Sequence, residues 1–340
     1  MQEHPFAEYT RALCKDPKLF HDLEEHEAEA AIAMVLRGEV DPIQLGAFLL
    51  LLLRRKGETG AELAGFVRAA KSVLAIPDDA MVPDLNWPSY ADRHCQQPWF
   101  VLSTLLLASE GIKVLMHGIE GHASTPAALA RLGIHPCGSL TEAAGQLRSS
   151  NFAYIRLRDF CPELERLFQL RPLLGVRTAV NNISRDINPL GGPAQIQSVF
   201  HPPYRPLHQE IAIRLGQPHV AIFKGIGGEA QRSPLKECTV ATVIDGEAAE
   251  EFRAPRLAER METTYQWRAE DLDLRHPASL WAGELDNPIA EQAVIATAAG
   301  QAEGGRPGRQ DRAGGGDGRG LVALPPADAV PPVTGRLTSA

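Results

Sequence analysis

The sequence has no apolar run approaching the roughly 20 residues that span a bilayer. The longest, AFLLLLL at 47–53, stops at Arg54, Arg55 and Lys56, so no membrane segment is expected. The first ten residues, MQEHPFAEYT, lack both a basic start and an apolar signal core, and a cytoplasmic location is the expectation. Cysteine is sparse, with five residues at 14, 95, 137, 161 and 238 and no C-x-x-C pair. An odd, unpatterned set argues against a zinc finger or a disulfide scaffold and fits reduced thiols. Positive charge is also short: 34 Lys/Arg against 42 Asp/Glu leave a net charge of −8. Taken over the whole chain, that balance argues against unspecific attraction to nucleic acid. It is uneven, however, because residues 151–237 hold 11 Lys/Arg and 7 Asp/Glu.

What is present is a helical beginning followed by strand–helix alternation. PFAEYTRALCK, HDLEEHEAEAAIAMVLRG (stopped by Gly38), DPIQLGAFLLLLLRRKG and GAELAGFVRAAKSVL read as helices. Asp41 is placed to cap the third, with Pro42 at its first position, and Thr59 precedes the fourth. From about residue 80, buried-strand stretches (IKVLMHG, FAYIRL, HVAIFKG, CTVATVID, EEFRA) alternate with helical ones. The latter are PWFVLSTLLLASEG, STPAALARLG with Ser124 or Thr125 as its cap, CPELERLFQLRPLLG and PPYRPLHQEIAIRLG. Such alternation predicts an α/β sheet covered by helices. After a last helix in DNPIAEQAVIATAA, residues 301–340 are rich in Gly, Pro and Arg without period, and are expected to be disordered.

Two stretches carry a family resemblance. VLRGEVDPIQLGAFLLLLLRRKGETGAELAGFVRAA (35–70) resembles the N-terminal helical signature of the anthranilate phosphoribosyltransferase family, glycosyl transferase family 3. LRPLLGVRTAVNNISRDINPLGG (170–192) resembles that family's R-x-x-L-x-x-R-T-x-x-N-x-x-x-x-x-x-N-P segment. The resemblance implies an α/β fold with a small N-terminal helical domain and a larger α/β domain, the class III phosphoribosyltransferase or nucleoside phosphorylase-like fold. It places the helical domain at 1–78, with a helix pair near 160–185 packed on it, and a discontinuous α/β domain at 79–300. It also implies a homodimer through the helical domain, so that the Leu49–Leu53 run is core or interface.

The positions that the family uses for chemistry are altered. Its G-T-G-G-D-G pyrophosphate turn corresponds to PDLNWPSYADRHCQQPW (83–99), which contains no glycine. Its K-H-G-N-R element corresponds to Met116, His117, Gly118, Ile119 and Glu120. Its Mg²⁺-binding D-E pair falls on Glu229 and Ala230, leaving one carboxylate. Arg171, Arg177, Thr178, Asn181, Asn188 and Pro189 match. In the family the arginine at the position of Arg171 contacts the aromatic acid substrate, whereas a plain structural role would be to hold a hinge between domains. The degenerate cleft is therefore expected at Tyr90, His117, Gly118, Arg171, Asn181 and Glu229, with no catalytic residue assigned. His117, Glu120 and His122 are of types that bind zinc. Two glycines, no i,i+4 pairing and no fourth ligand disfavour that reading, and no metal is expected.

The P-S-Y segment (88–90), the H-G turn without Lys or Asn, and F-C-P-x-L-E (160–165) resemble the branch typified by the DNA-binding protein YbiB, which implies loss of the substrate sites. The expectation is a sequence-independent nucleic-acid-binding homodimer, taking DNA or RNA and needing no cofactor. Its candidate phosphate contacts are Arg156, Arg158, Arg166, Arg171, Arg177, Arg185, Arg205, Arg214 and Lys224, with His208 beside them on the helix at 203–215. Trp87, Tyr90 and Tyr204 are the candidate stacking partners for bases. The alternative is a glycosyl or phosphoribosyl transferase with an unidentified acceptor, using Mg²⁺. A protein–protein scaffold is the third possibility.

Overall fold

The structure, a computed structural model, describes residues 3–14, 21–54, 57–91, 96–119, 124–257 and 272–299. The expected tail at 301–340, and Glu120 and His122, lie outside these residues. The helical beginning forms α1 (Ala7–Ala12), α2 (Glu25–Leu36), α3 (Pro42–Arg54) and α4 (Gly60–Ser72). Local chemistry sets their starts. Asp41 Oδ1 accepts the Ile43 N–H at 2.8 Å, which caps α3 as expected. Thr59 Oγ1 accepts the Glu62 N–H at 3.2 Å, and Glu62 Oε2 accepts the Thr59 N–H at 2.9 Å, closing a capping box on α4.

Beyond residue 80 come β1 (Leu85–Ser89), α5 (Trp99–Ser109), β2 (Val114–Gly118), α6 (Ser124–Arg131), α7 (Leu140–Ser150) and β3 (Phe152–Arg156). Four short helices follow: α8 (Leu157–Phe160), α9 (Pro162–Phe168), α10 (Arg171–Leu174) and α11 (Val180–Asp186). The rest is β4 (Ala194–Val199), α12 (Arg205–Arg214), β5 (His219–Lys224), β6 (Cys238–Ile244), β7 (Glu247–Arg253), α13 (His276–Trp281) and α14 (Pro288–Ala299). Among the described residues the strands make one seven-stranded sheet in the order β3-β2-β1-β4-β5-β6-β7. The first five in that order are parallel, and β6 and β7 run antiparallel. Parallel strands are buried on both faces, and β2 divides its residues between two cores. Leu115 joins Phe48, Leu63, Phe66, Leu164, Val180 and Ile183 on the side of the N-terminal helices and α8–α11. Met116 joins Trp87, Trp99, Phe100, Leu280 and Val294 on the other. No helix among the described residues is long and apolar enough to cross a membrane.

Four expectations need correction. Residues 161–175 are two helices, not one, because Pro172 inside a continuous helix would lose a hydrogen bond and clash with the preceding turn. The helix at 202–215 opens with a 3₁₀ turn at Pro202–Tyr204, and α6 begins at Ser124, so Thr125 lies within the helix. Two central strands, β1 and β4, went unread because they carry Asn86, Pro88, Gln195 and Gln197 instead of an apolar alternation. Pro88 is tolerated because β1 pairs with β4 only at Leu85 and Asn86.

The β1–β2 contact admits no side chain at Gly118, where a Cβ would lie 2.3 Å from the Ser89 carbonyl oxygen. Gly118→Ala is expected to lower the free energy of unfolding by about 1–3 kcal/mol in urea titrations. Gly145→Ala, in α7 with nothing within 4 Å, is expected to be neutral or stabilising by up to about 1 kcal/mol.

Candidate functional site

The winding of the sheet reverses between β1 and β4, since β2 and β3 extend it one way and β5 the other. Loops leaving neighbouring strands at such a point diverge and open a crevice at the strands' C-terminal ends. A cavity of about 320 Å³ lies there. It is lined by Ala91 after β1, Phe200 and His201 after β4, and Gly227 and Gly228 after β5. Arg171, Arg177 and Arg185, from α10, the following loop and α11, complete the lining. A neighbouring lobe of about 110 Å³ shares Arg177, Arg185, Phe200 and His201, and adds Thr178, Asn181, Tyr204 and His208.

The backbone and the guanidinium groups both make this cleft suited to anions. Gly227 and Gly228 hold φ of +68° and +90°, conformations that side chains disfavour. Such turns can aim successive N–H groups at an anion. Arg185 spans the crevice, donating to the Ser198 carbonyl at 3.1 Å and the Tyr90 carbonyl at 3.4 Å. Arg171 is half-buried and Arg177 exposed.

The other six candidate cations lie elsewhere. Arg156 is ion-paired with Asp159. Arg205 donates to the Thr239 carbonyl at 2.9 Å and sits 3.6 Å from Glu250. Arg214 bonds Glu210 at 2.9 Å and approaches Glu25 at 3.5 Å. Arg158 and Arg166 are exposed on α8 and α9, and Lys224 is exposed at the end of β5. None of the six lines either lobe.

The ends of β1 and β2, expected to form part of a degenerate cleft, are filled by their own side chains. His117 is fully buried, its Nδ1 2.8 Å from the Tyr90 hydroxyl and its Nε2 3.2 Å from Asn86 Nδ2. With the Asn86 amide as donor, Nε2 accepts and Nδ1 carries the ring proton. Phe160 stands edge-on to the imidazole at 5.7 Å. Burial drives the His117 pKa down to about 3, so the ring is neutral. Both nitrogens are engaged within the fold, which leaves this histidine no lone pair for zinc. Trp87 and Tyr90 are 0% and 2% exposed, which corrects their reading as base-stacking surfaces. Tyr204 stays open at 39%, and Phe200, which the sequence reading missed, at 43%.

Glu229 is buried, and its Oε1 accepts the Ala91 N–H at 2.9 Å, tying the loop after β5 to the chain after β1. With Ala230 as neighbour, one carboxylate already engaged by the backbone does not fit a Mg²⁺ site, which needs several oxygen ligands. Among the described residues no group of three or more His, Cys, Asp or Glu side chains converges to hold a metal.

His208 also departs from expectation. It is 1% exposed, and its Nδ1 lies 2.9 Å from Asp186 Oδ2, so it belongs to an internal pair and not to a surface groove. Its burial was readable from helical spacing with Ile211 and Ala212; its partner on α11 was not.

Because His117 is held neutral, its folded pKa lies below the ordinary 6.5. The unfolded chain therefore binds the extra proton, and this contribution to stability, complete above pH 6.5, is lost as pH falls towards about 3. Unfolding free energies measured across that window are expected to fall less steeply in His117→Gln than in the wild type.

Comparison with known proteins agrees with this architecture. Residues 7–72 match the helical bundle domain of a glycosyl transferase family. The chain is 30% identical over 239 residues to the anthranilate phosphoribosyltransferase of Novosphingobium aromaticivorans, covering 69% of this chain and 71% of that protein. It is 28% identical over 233 residues to the uncharacterized protein YbiB of Escherichia coli, covering 66% and 72%. Among solved structures, anthranilate phosphoribosyltransferase from Thermus thermophilus matches with a TM-score of 0.68 at 23% identity, covering 86% of this chain and 87% of that one. The Saccharomyces cerevisiae enzyme, in complex with PRPP and Mg, matches with a TM-score of 0.69 at 15% identity and 86% coverage of each. With the helical bundle, the switch-point cleft and these relatives together, the chain belongs to the anthranilate phosphoribosyltransferase family of glycosyl transferases.

Proposed function

We propose that the switch-point cleft binds a phosphorylated pentose and that the chain is a phosphoribosyl-type transferase for an acceptor still to be identified. The observation that carries this reading is the convergence of Arg171, Arg177 and Arg185 on a cavity backed by the Gly227–Gly228 turn. Planar guanidinium groups match phosphate oxygens in pairs. Fixed positive charge at the strand ends would stabilise a leaving pyrophosphate as its charge develops. In this chain that task passes to the arginines, because the ends of β1 and β2 are packed with Tyr90 and His117. Family membership supports the reaction class, and the altered strand ends support an acceptor other than anthranilate. Calorimetry with phosphoribosyl pyrophosphate, with and without Mg²⁺, tests it. Heat of binding is expected, weakened roughly 10-fold or more by Arg171→Ala, as loss of a charged hydrogen bond implies. No heat at millimolar ligand overturns the reading.

A second reading, a nucleic-acid-binding homodimer, draws on one observation: Phe200 and Tyr204 are exposed beside the same arginines. Aromatic faces next to cations suit unstacked bases. The exposed Ile43 and Leu50 on α3 and Leu173 on α10 supply an apolar face for a second copy through the helical domain. On this reading oligonucleotide affinity falls linearly with salt on logarithmic axes. A flat response in fluorescence anisotropy, or no binding at ~50 mM salt, rejects it.

A further inference from the structure

We infer that the smaller lobe is a hydroxyl-recognition subsite built on the Asp186–His208 pair, so that the cleft's ligand is held by phosphate in one lobe and by sugar hydroxyls in the other. This rests on the reading of the larger lobe as a phosphate site. The two lobes share Arg177 and Arg185, so a group attached to a phosphate among the arginines reaches the smaller lobe directly. The smaller lobe adds Thr178, Asn181, Asn182 and Tyr204, uncharged groups that exchange hydrogen bonds with neutral hydroxyls, beside the carboxylate of Glu58, an acceptor for hydroxyls that phosphate would avoid.

The pair itself is expensive to bury unless its hydrogen bonds are complete. Those of the carboxylate are: Asp186 Oδ2 lies 2.9 Å from His208 Nδ1, and Asp186 Oδ1 accepts from Gln197 Nε2 at 2.9 Å. The two side chains are 2% and 1% exposed. A carboxylate at Nδ1 holds an N–H there and orients the ring, leaving Nε2 on the side away from the carboxylate. His208 lines the smaller lobe, so Nε2 is the nitrogen it can offer to a ligand's hydroxyl. Asp186 acts through His208 and is a positioning residue.

The test is calorimetry on the full chain with two probes, ribose 5-phosphate and inorganic phosphate. Wild type is expected to bind ribose 5-phosphate the more tightly. His208→Gln is expected to weaken ribose 5-phosphate about 10-fold, the loss of one hydrogen bond, and to leave inorganic phosphate unchanged. Arg171→Ala is expected to weaken both. If inorganic phosphate binds and responds to Arg171→Ala while His208→Gln affects both probes equally or neither, the subsite is overturned and the phosphate reading stands. If neither probe binds the wild type, both are overturned. A DNA oligonucleotide that binds far more tightly than ribose 5-phosphate, with no response to His208→Gln, assigns the cleft to nucleic acid and overturns the subsite. Should His208→Gln not fold, a crystal structure of the wild type with ribose 5-phosphate decides. A sugar hydroxyl within hydrogen-bond distance of His208 Nε2 supports the subsite, and hydroxyls directed elsewhere overturn it.

Discussion

The C-terminal end of α11 is clamped to the sheet by three buried amide side chains, and the cleft depends on that clamp. Asn86 on β1 donates to the Ile187 carbonyl at 3.2 Å. Gln195 on β4 donates to the Arg185 carbonyl, and Gln197 to the Asp186 carboxylate. An orphaned backbone carbonyl at a buried helix end costs about as much as a lost hydrogen bond. Polar residues in these two central strands therefore do what an apolar alternation could not. They set the height and rotation of the short helix that carries Arg185 and Asp186.

From that anchor the rest of the site follows. Arg185 reaches across the reversal of winding to the Ser198 carbonyl of β4 and the Tyr90 carbonyl just past β1, while Glu229 draws the loop after β5 onto the chain after β1. Arg171 and Arg177 arrive because α8–α11 share a core with the N-terminal helices, through Leu164, Val180 and Ile183 against Phe48 and Leu63. The helical bundle and the sheet thus meet along the line where the arginines converge.

The packed end of β1 and the neutral histidine of β2 are one physical unit. The chain through the end of β1, which has no glycine over 83–91, carries Trp87 and Tyr90 into the interior. Once Tyr90 occupies that space, His117 is shielded, loses its charge and becomes a hydrogen-bonding partner in a packed interior. Arg171, Arg177 and Arg185 line the cavity beside it, among the chain ends after β1, β4 and β5 and the small helices.

The sequence by itself determined the helical beginning, the α/β alternation and the family. Caps at Asp41 and Thr59, helical periods and buried-strand runs are local features, readable wherever a few neighbouring residues decide the backbone. It also has no glycine over 83–99, the stretch where the resemblance implied a phosphate-binding turn. Only the tertiary structure decided which of nine cations share a cleft, because ion pairs such as Arg156–Asp159 and contacts such as Arg205 with the Thr239 carbonyl depend on partners that the fold brings in. It also decided that His208 belongs to Asp186, 22 residues away in sequence, and that β1 and β4 are strands at all. Polar side chains in a central strand read as loop until the carbonyls that satisfy them are in place, and those carbonyls belong to a helix the sheet itself positions.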